Sequence, residues 1–176
     1  MNEDAILKIQ NVFKMGYLPS RGKAPYYFSP VPINCFGHAC FNLTDEIMKV
    51  ANVSNDLFAY RIPSMYSTEQ QISNDLIERV AMAGLDISSC ALKEKLNFNE
   101  WRVALYFAYT QDGIDDYHFL LQEANGKWSC KFGWDTAKIS YFRKLPEIIE
   151  PNYKLYGIYK IANPHTKYVE EGLEKK

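Results

Sequence analysis

The apolar pattern of this chain changes period at Trp101, and that change limits what the chain can fold into. Before it, hydrophobic residues recur at helical spacing. Residues 2–14 set Ala5, Ile6, Ile9, Val12 and Phe13 on one side, and Gly16 followed by Pro19 ends the run. Residues 18–33 carry four prolines and no periodicity, which predicts an irregular segment. A second helix is expected to open at Cys35 and reach about residue 51, with Cys35, Ala39, Leu43 and Ile47 as an i, i+4 column. Thr68 with Gln71 three residues on has the form of a capping box, so a third helix follows. Ile72, Leu76, Ile77, Val80 and Ala83 make its apolar face, and Gly84 closes it. After Trp101 the residues become aromatic and β-branched over 101–110, as in a strand. Segments 117–122 and 127–131 flank Asn125-Gly126, a pair that tolerates the positive φ angles of a tight hairpin turn. Residues 154–161 alternate as a last strand. Helices first and antiparallel strands afterwards predict an α+β domain. It is expected to span residues 1–163, with a polar tail over 164–176.

Composition narrows the function classes. At 176 residues, 47% apolar and 15% aromatic, the chain has enough hydrophobic material for one well-cored domain. A formal net charge of −1 leaves no basic footprint for nucleic acid or anionic lipid, and no apolar run is long enough for a membrane span. Met1-Asn2-Glu3-Asp4 has neither a basic nor an apolar signal region. The expected location is therefore cytoplasmic, or exported by a route that needs no cleavable signal. Cys35, Cys40, Cys90 and Cys130 are then expected as free thiols, with two disulfide pairs as the alternative for an exported protein. No cofactor motif is present, and nothing speaks to oligomeric state.

Asn34-Cys35-Phe36-Gly37-His38-Ala39-Cys40 concentrates two thiols and an imidazole where a helix should begin. Three readings compete. Cysteine is among the most buried residue types, so Cys35 as a small core filler is the plain one. A zinc site from Cys35, His38 and Cys40 fails on geometry, because residues i and i+5 point away from each other on a helix, and no second ligand pair exists. The third is a catalytic thiol. A thiol is a poor nucleophile at neutral pH. A helix N-terminus favours thiolate, offers N–H groups to an oxyanion, and needs only a histidine within reach.

Three histidines are available. His165 falls in the polar tail. His38 stands one turn after Cys35, where a base on the same helix is poorly placed for the reactive side of the sulfur. His118, in Asp115-Asp116-Tyr117-His118-Phe119, is expected at the start of a strand. It is either a satisfied histidine at a strand edge or the distant partner a catalytic Cys35 requires.

Cysteine at a helix start followed by histidine at the start of an antiparallel strand resembles the papain-like cysteine hydrolases. The NlpC/P60 branch is the most similar. Pro25-Tyr26-Tyr27-Phe28-Ser29-Pro30-Val31-Pro32-Ile33-Asn34-Cys35-Phe36-Gly37 sets Ser-Pro six residues ahead of the cysteine, as in that branch, with Asn34 at the usual aspartate position. There the histidine strand is followed by a turn and a third polar residue twelve positions on, which here is Cys130. The double glycine before Ser-Pro is missing. Cysteine is also a weak acceptor for orienting an imidazole, which leaves Gln122 or a backbone carbonyl as substitute. The matching segments are roughly residues 24–45 and 100–134.

The resemblance implies a papain-like fold and a cysteine peptidase or amidase in which Cys35 attacks a peptide or amide carbonyl and His118 moves the proton. Cys130 or Gln122 would orient the imidazole and Tyr26 would contact substrate. Cell-wall peptides are the commonest substrates of that branch, and no metal or other cofactor is implied. The same dyad serves acyl transfer and deamidation. A binding module on this fold with a decayed site is the alternative from another class. A reversible Cys35–Cys130 disulfide, motivated only by this alignment, is a third possibility.

Overall fold

The alternating segments beyond residue 100 pair into a single sheet because each has a face to bury on either side. The computed structural model describes residues 3–16, 34–41, 60–64, 66–132, 139–149 and 151–166. Among the described residues two helices, α1 (Glu3–Lys14) and α2 (Glu69–Met82), and a helical turn opening at Cys35 precede all of the strands. The strands are β1 (Asp86–Ser89), β2 (Glu100–Thr110), β3 (Gly113–Gln122), β4 (Trp128–Lys131), β5 (Ile139–Phe142), β6 (Ile148–Ile149) and β7 (Tyr153–Ala162). They form a seven-stranded sheet in the order β1-β7-β2-β3-β4-β5, with β6 paired to the start of β7. Every pairing is antiparallel. The expected α+β class is what the chain adopts.

The expected helix signals act as their chemistry requires. In the capping box, Gln71 N–H donates to Thr68 Oγ1 at 3.2 Å and Thr68 N–H to Gln71 Oε1 at 2.8 Å. Ile72, Leu76 and Val80 face the core, and Gly84 leaves α2 at φ +82°, a region that L side chains avoid. Ile9, Val12 and Phe13 of α1 are buried as the pattern predicts. The second helix is described only as far as Phe41, with π-helical spacing over Gly37–Phe41. Leu43 and Ile47, like the proline-rich segment, lie outside the described residues.

Three features differ from expectation. β3 begins at Gly113 rather than at residue 117, because its outer end is solvated and accepts Asp115 and Asp116, with the register against β2 shifting at Asp115. Short strands β1, β5 and β6 carry too few residues to show alternation. The chain is also not frayed at Asn163. That side chain is buried and donates to Phe13 O at 3.0 Å, while Thr166 Oγ1 donates to Gly16 O at 3.3 Å, so residues 163–166 close the end of α1. Among the described residues no helix is long and apolar enough to cross a membrane.

Because side chains alternate across a strand, the sheet buries two separate cores. The larger lies under both helices and the Cys35 turn, and joins Ile9, Phe13, Phe36, Leu76, Val103, Leu105, Phe107, Tyr117 and Phe119. The smaller, on the opposite face, joins Ala104, Tyr106, Leu120, Trp128, Cys130 and Ile149. No described helix contributes to it. Leu145 packs there, and Tyr106 Oη donates to Pro146 O at 2.6 Å, so the link between β5 and β6 crosses this face.

Candidate active site

Asn34 starts the Cys35 turn. Its Oδ1 accepts from Gly37 N–H at 2.9 Å while its own carbonyl accepts from His38 N–H at 3.0 Å, the two bonds of an N-cap. With Oδ1 so used, the amide nitrogen turns to the sheet and donates to Tyr117 Oη at 3.4 Å. The Cys35 thiol, 7% exposed, lies against β3 with Sγ 3.9 Å from Tyr117 O. It rests where β4 has left the edge of β3, whose pairing with β4 extends only over Leu121 and Gln122.

The thiol sits between opposing influences. Burial pushes it up, the main-chain N–H of Phe119 pulls it down, the charge of Asp116 raises it, and the N–H groups of Phe36 and Cys35 lower it. Burial prevails and sets it at about 12. A helix start therefore does not make this a resting thiolate, contrary to the expectation from position alone. Desolvation of the charged form outweighs the helix-end donors.

His118 stands in the middle of β3, not at its start. Its side chain points to the smaller core, opposite to Tyr117 and Phe119, which pack with Cys35. The ring stacks on Phe132 with centroids 4.3 Å apart and planes 9° apart, and Tyr153 approaches to 5.5 Å. Tyr153 Oη donates to Asp116 Oδ2 at 2.7 Å. Burial, then the charge of His38, lowers His118 to about 3. Its Nε2 is buried and makes no hydrogen bond among the described residues. Cys35 and His118 are not hydrogen-bonded to each other. Sγ instead touches the main chain on both sides of His118, at Tyr117 O and Phe119 N–H.

Other sequence-selected residues are placed as follows. Cys130 is buried in the smaller core, its thiol pushed up to about 12 by burial and then by the charge of Cys35. Continuing the pairs Leu121↔Ser129 and Gln122↔Trp128 would put Cys130 across from Leu120, and Phe132 across from His118. The aromatic stack on His118 agrees with that register. Gln122 Oε1 accepts from Arg102 and so is engaged away from the imidazole. Tyr26 lies outside the described residues. All four cysteines are free thiols.

One polar group escaped the sequence reading. His38 Nε2 lies 3.1 Å from Ser129 Oγ, and that hydroxyl donates to Glu123 Oε1 at 2.5 Å. Fully buried Lys131 stands on the same strand. Burial, then the Lys131 charge, lowers His38 to about 4. For Glu123 burial raises the carboxyl and the Ser129 hydroxyl pulls it back. Alternation within β4 was the only available signal, since Ser129 and Lys131 share a face that an apolar strand would have filled. Among the described residues no group of three or more His, Cys, Asp or Glu side chains is placed to hold a metal. No family model, curated protein or solved structure matches the chain.

Proposed function

We propose that the chain is a cysteine hydrolase of papain-like, NlpC/P60-like type, acting on a peptide or related amide. What carries this reading is one juxtaposition: the thiol at a capped helix start lies against the main chain flanking His118, whose buried Nε2 has no described partner. Cys35 Sγ attacks the carbonyl carbon as its proton passes to the imidazole of His118. Main-chain N–H groups at the helix start receive the oxyanion. The tetrahedral intermediate collapses to a thioester, and His118 gives the proton to the departing amine. Water, deprotonated by His118, then releases the acid and restores the thiol. Both groups are neutral in the free protein, so the proton moves with the attack and not before it. Catalytic hydrogen bonds commonly tighten only once substrate is bound.

Burial of the thiol and an aromatic, not polar, neighbour on His118 favour a second reading, a binding module in which this site is inert. Turnover decides between them. The protein, Cys35→Ala and His118→Ala are incubated with a library of acylated peptides, peptide amides and cell-wall-type peptides, and new amines are read by mass spectrometry. A hydrolase releases amines, and either substitution lowers the rate by about 10³-fold or more. Release by the unsubstituted protein no faster than by Cys35→Ala leaves the binding module. Products transferred to an added amine identify acyl transfer by the same dyad.

A further inference from the structure

Cys35 and His118 are not hydrogen-bonded to each other, so no bond between them sets their relative position. What sets it is whatever fixes the Cys35 turn on the hairpin that carries His118. Three described side-chain hydrogen bonds run from the turn to the sheet, one of them the weak contact of Cys35 Sγ with Tyr117 O at 3.9 Å. The one from Asn34 to Tyr117 is long, at 3.4 Å, and the one between His38 and Ser129 is 3.1 Å. This last bond continues to Glu123 at the foot of the turn between β3 and β4. There Glu123 N–H donates to Lys127 O at 2.8 Å and Gly126 N–H to Glu123 O at 2.9 Å, so the carboxylate is mounted on a closed turn.

With Glu123 ionised, the proton count along this chain of groups has one solution. A hydroxyl has a single proton. At 2.5 Å from Glu123 Oε1, a separation typical of an O–H donor on a carboxylate, Ser129 gives it there. Ser129 Oγ is then an acceptor toward His38, so Nε2 must carry the imidazole proton. We propose that Glu123, Ser129 and His38 form a positioning relay, which fixes His38 as the Nε2–H tautomer and locks the Cys35 turn onto the β3–β4 hairpin. The role follows from where each residue stands. His38 is one turn after the nucleophile, Ser129 is on the strand beside β3, and Glu123 directly follows β3.

The same geometry excludes other roles for the three. His38 is not the base for Cys35, since its Nε2 is committed to Ser129 and it makes no hydrogen bond to the thiol. Ser129 is not a nucleophile, because it is fully buried and its proton points to a carboxylate. Glu123 acts only through the hydroxyl. The relay rests on the hydrolase reading for its purpose, but its chemistry is measurable without a substrate.

The test uses the full chain. Long-range proton–nitrogen NMR of the imidazoles reports each tautomer, with His38 assigned by the signals lost in His38→Gln. In parallel, iodoacetamide labelling of Cys35 at pH 8 is timed by peptide mass spectrometry, with Cys90 as internal reference. The relay predicts a single Nε2–H tautomer for His38. Ser129→Ala should turn this into a tautomer mixture and change the Cys35 rate relative to Cys90 by about tenfold, the equilibrium factor of one hydrogen bond. Ser129→Thr, which keeps the hydroxyl, should restore both. An Nδ1–H tautomer in the unsubstituted protein overturns the relay, as does a Cys35 rate that Ser129→Ala leaves unchanged. Failure of the hydrolase reading shows elsewhere, as amide turnover indifferent to Cys35→Ala.

Discussion

The two faces of the sheet are filled by different means. On the larger, two helices and the Cys35 turn bring apolar side chains from distant parts of the chain onto Val103, Leu105 and Phe107. On the smaller, the sheet is covered by the crossing chain at Leu145 and Pro146, and the interior includes His118 and Cys130 beside aromatic rings. The first face uses the hydrophobic effect to hold the domain together. Both enclose ionisable groups in the neutral form, Cys35 on the first and His118 and Cys130 on the second, at the cost of a pH-dependent penalty. The candidate dyad straddles the strand that separates them.

Truncating each core tests the comparison most severely. Phe107→Ala in the larger core should cost about 3–5 kcal/mol and Leu120→Ala in the smaller about 2–5 kcal/mol, read from denaturant unfolding. A loss under about 1 kcal/mol for Leu120→Ala would mean the smaller face is not a packed core in solution.

Acid sharpens the contrast between the two buried histidines. Their folded values, about 4 for His38 and about 3 for His118, lie below the ordinary 6.5. The unfolded chain therefore binds protons that the folded one refuses. Stability is complete above pH 6.5 and is lost as pH falls toward 4 and 3. At pH 5 the loss is about 2 kcal/mol for each histidine. His38→Gln should remove one share of that slope and His118→Gln the other. An unchanged slope in either variant breaks the assignment for that side.

Alkali acts on the thiols in the opposite sense. Cys35 and Cys130 are raised from 9.0 to about 12, so the folded state keeps protons that the unfolded state releases. Stability is complete below pH 9 and declines as pH rises toward 12, by about 1.4 kcal/mol per thiol at pH 10. Cys130→Ala should flatten this decline without altering the acid limb, provided the packing recloses. The smallest effect lies away from both cores. Thr68→Ala should cost about 1 kcal/mol through loss of the capping bond, with little change in the pH profile.

How much was legible depended on whether the signal was local. The capping box at Thr68 and the turn at Asn125-Gly126, with Gly126 at φ +78°, are satisfied within a few residues, and both appeared where the residue types demanded them. So did the Cys35 helix start, because Asn34 caps it from the adjacent position. The beginning of β3 was misjudged because aspartates at a solvated strand end look like loop. His118 was correctly assigned to a strand, yet its face could not be read without knowing which neighbour β3 loses and where.

By itself the sequence determined the class of the domain, the ends of α1 and α2, the place of the hairpin turn and a thiol where a helix starts. Each of these follows from propensities and hydrogen bonds that act over one turn or one pair of strands. Only the tertiary structure decided the protonation of that thiol, because burial is a property of everything packed around it and here outweighs the helix-end donors. It alone decided that Cys35 lies on the main chain of β3 at the edge β4 has left, while the ring of His118 stacks on Phe132. It alone joined His38 to Ser129, across 91 residues, and through Ser129 to Glu123. Contacts of that kind depend on how elements pack, and no local pattern encodes them.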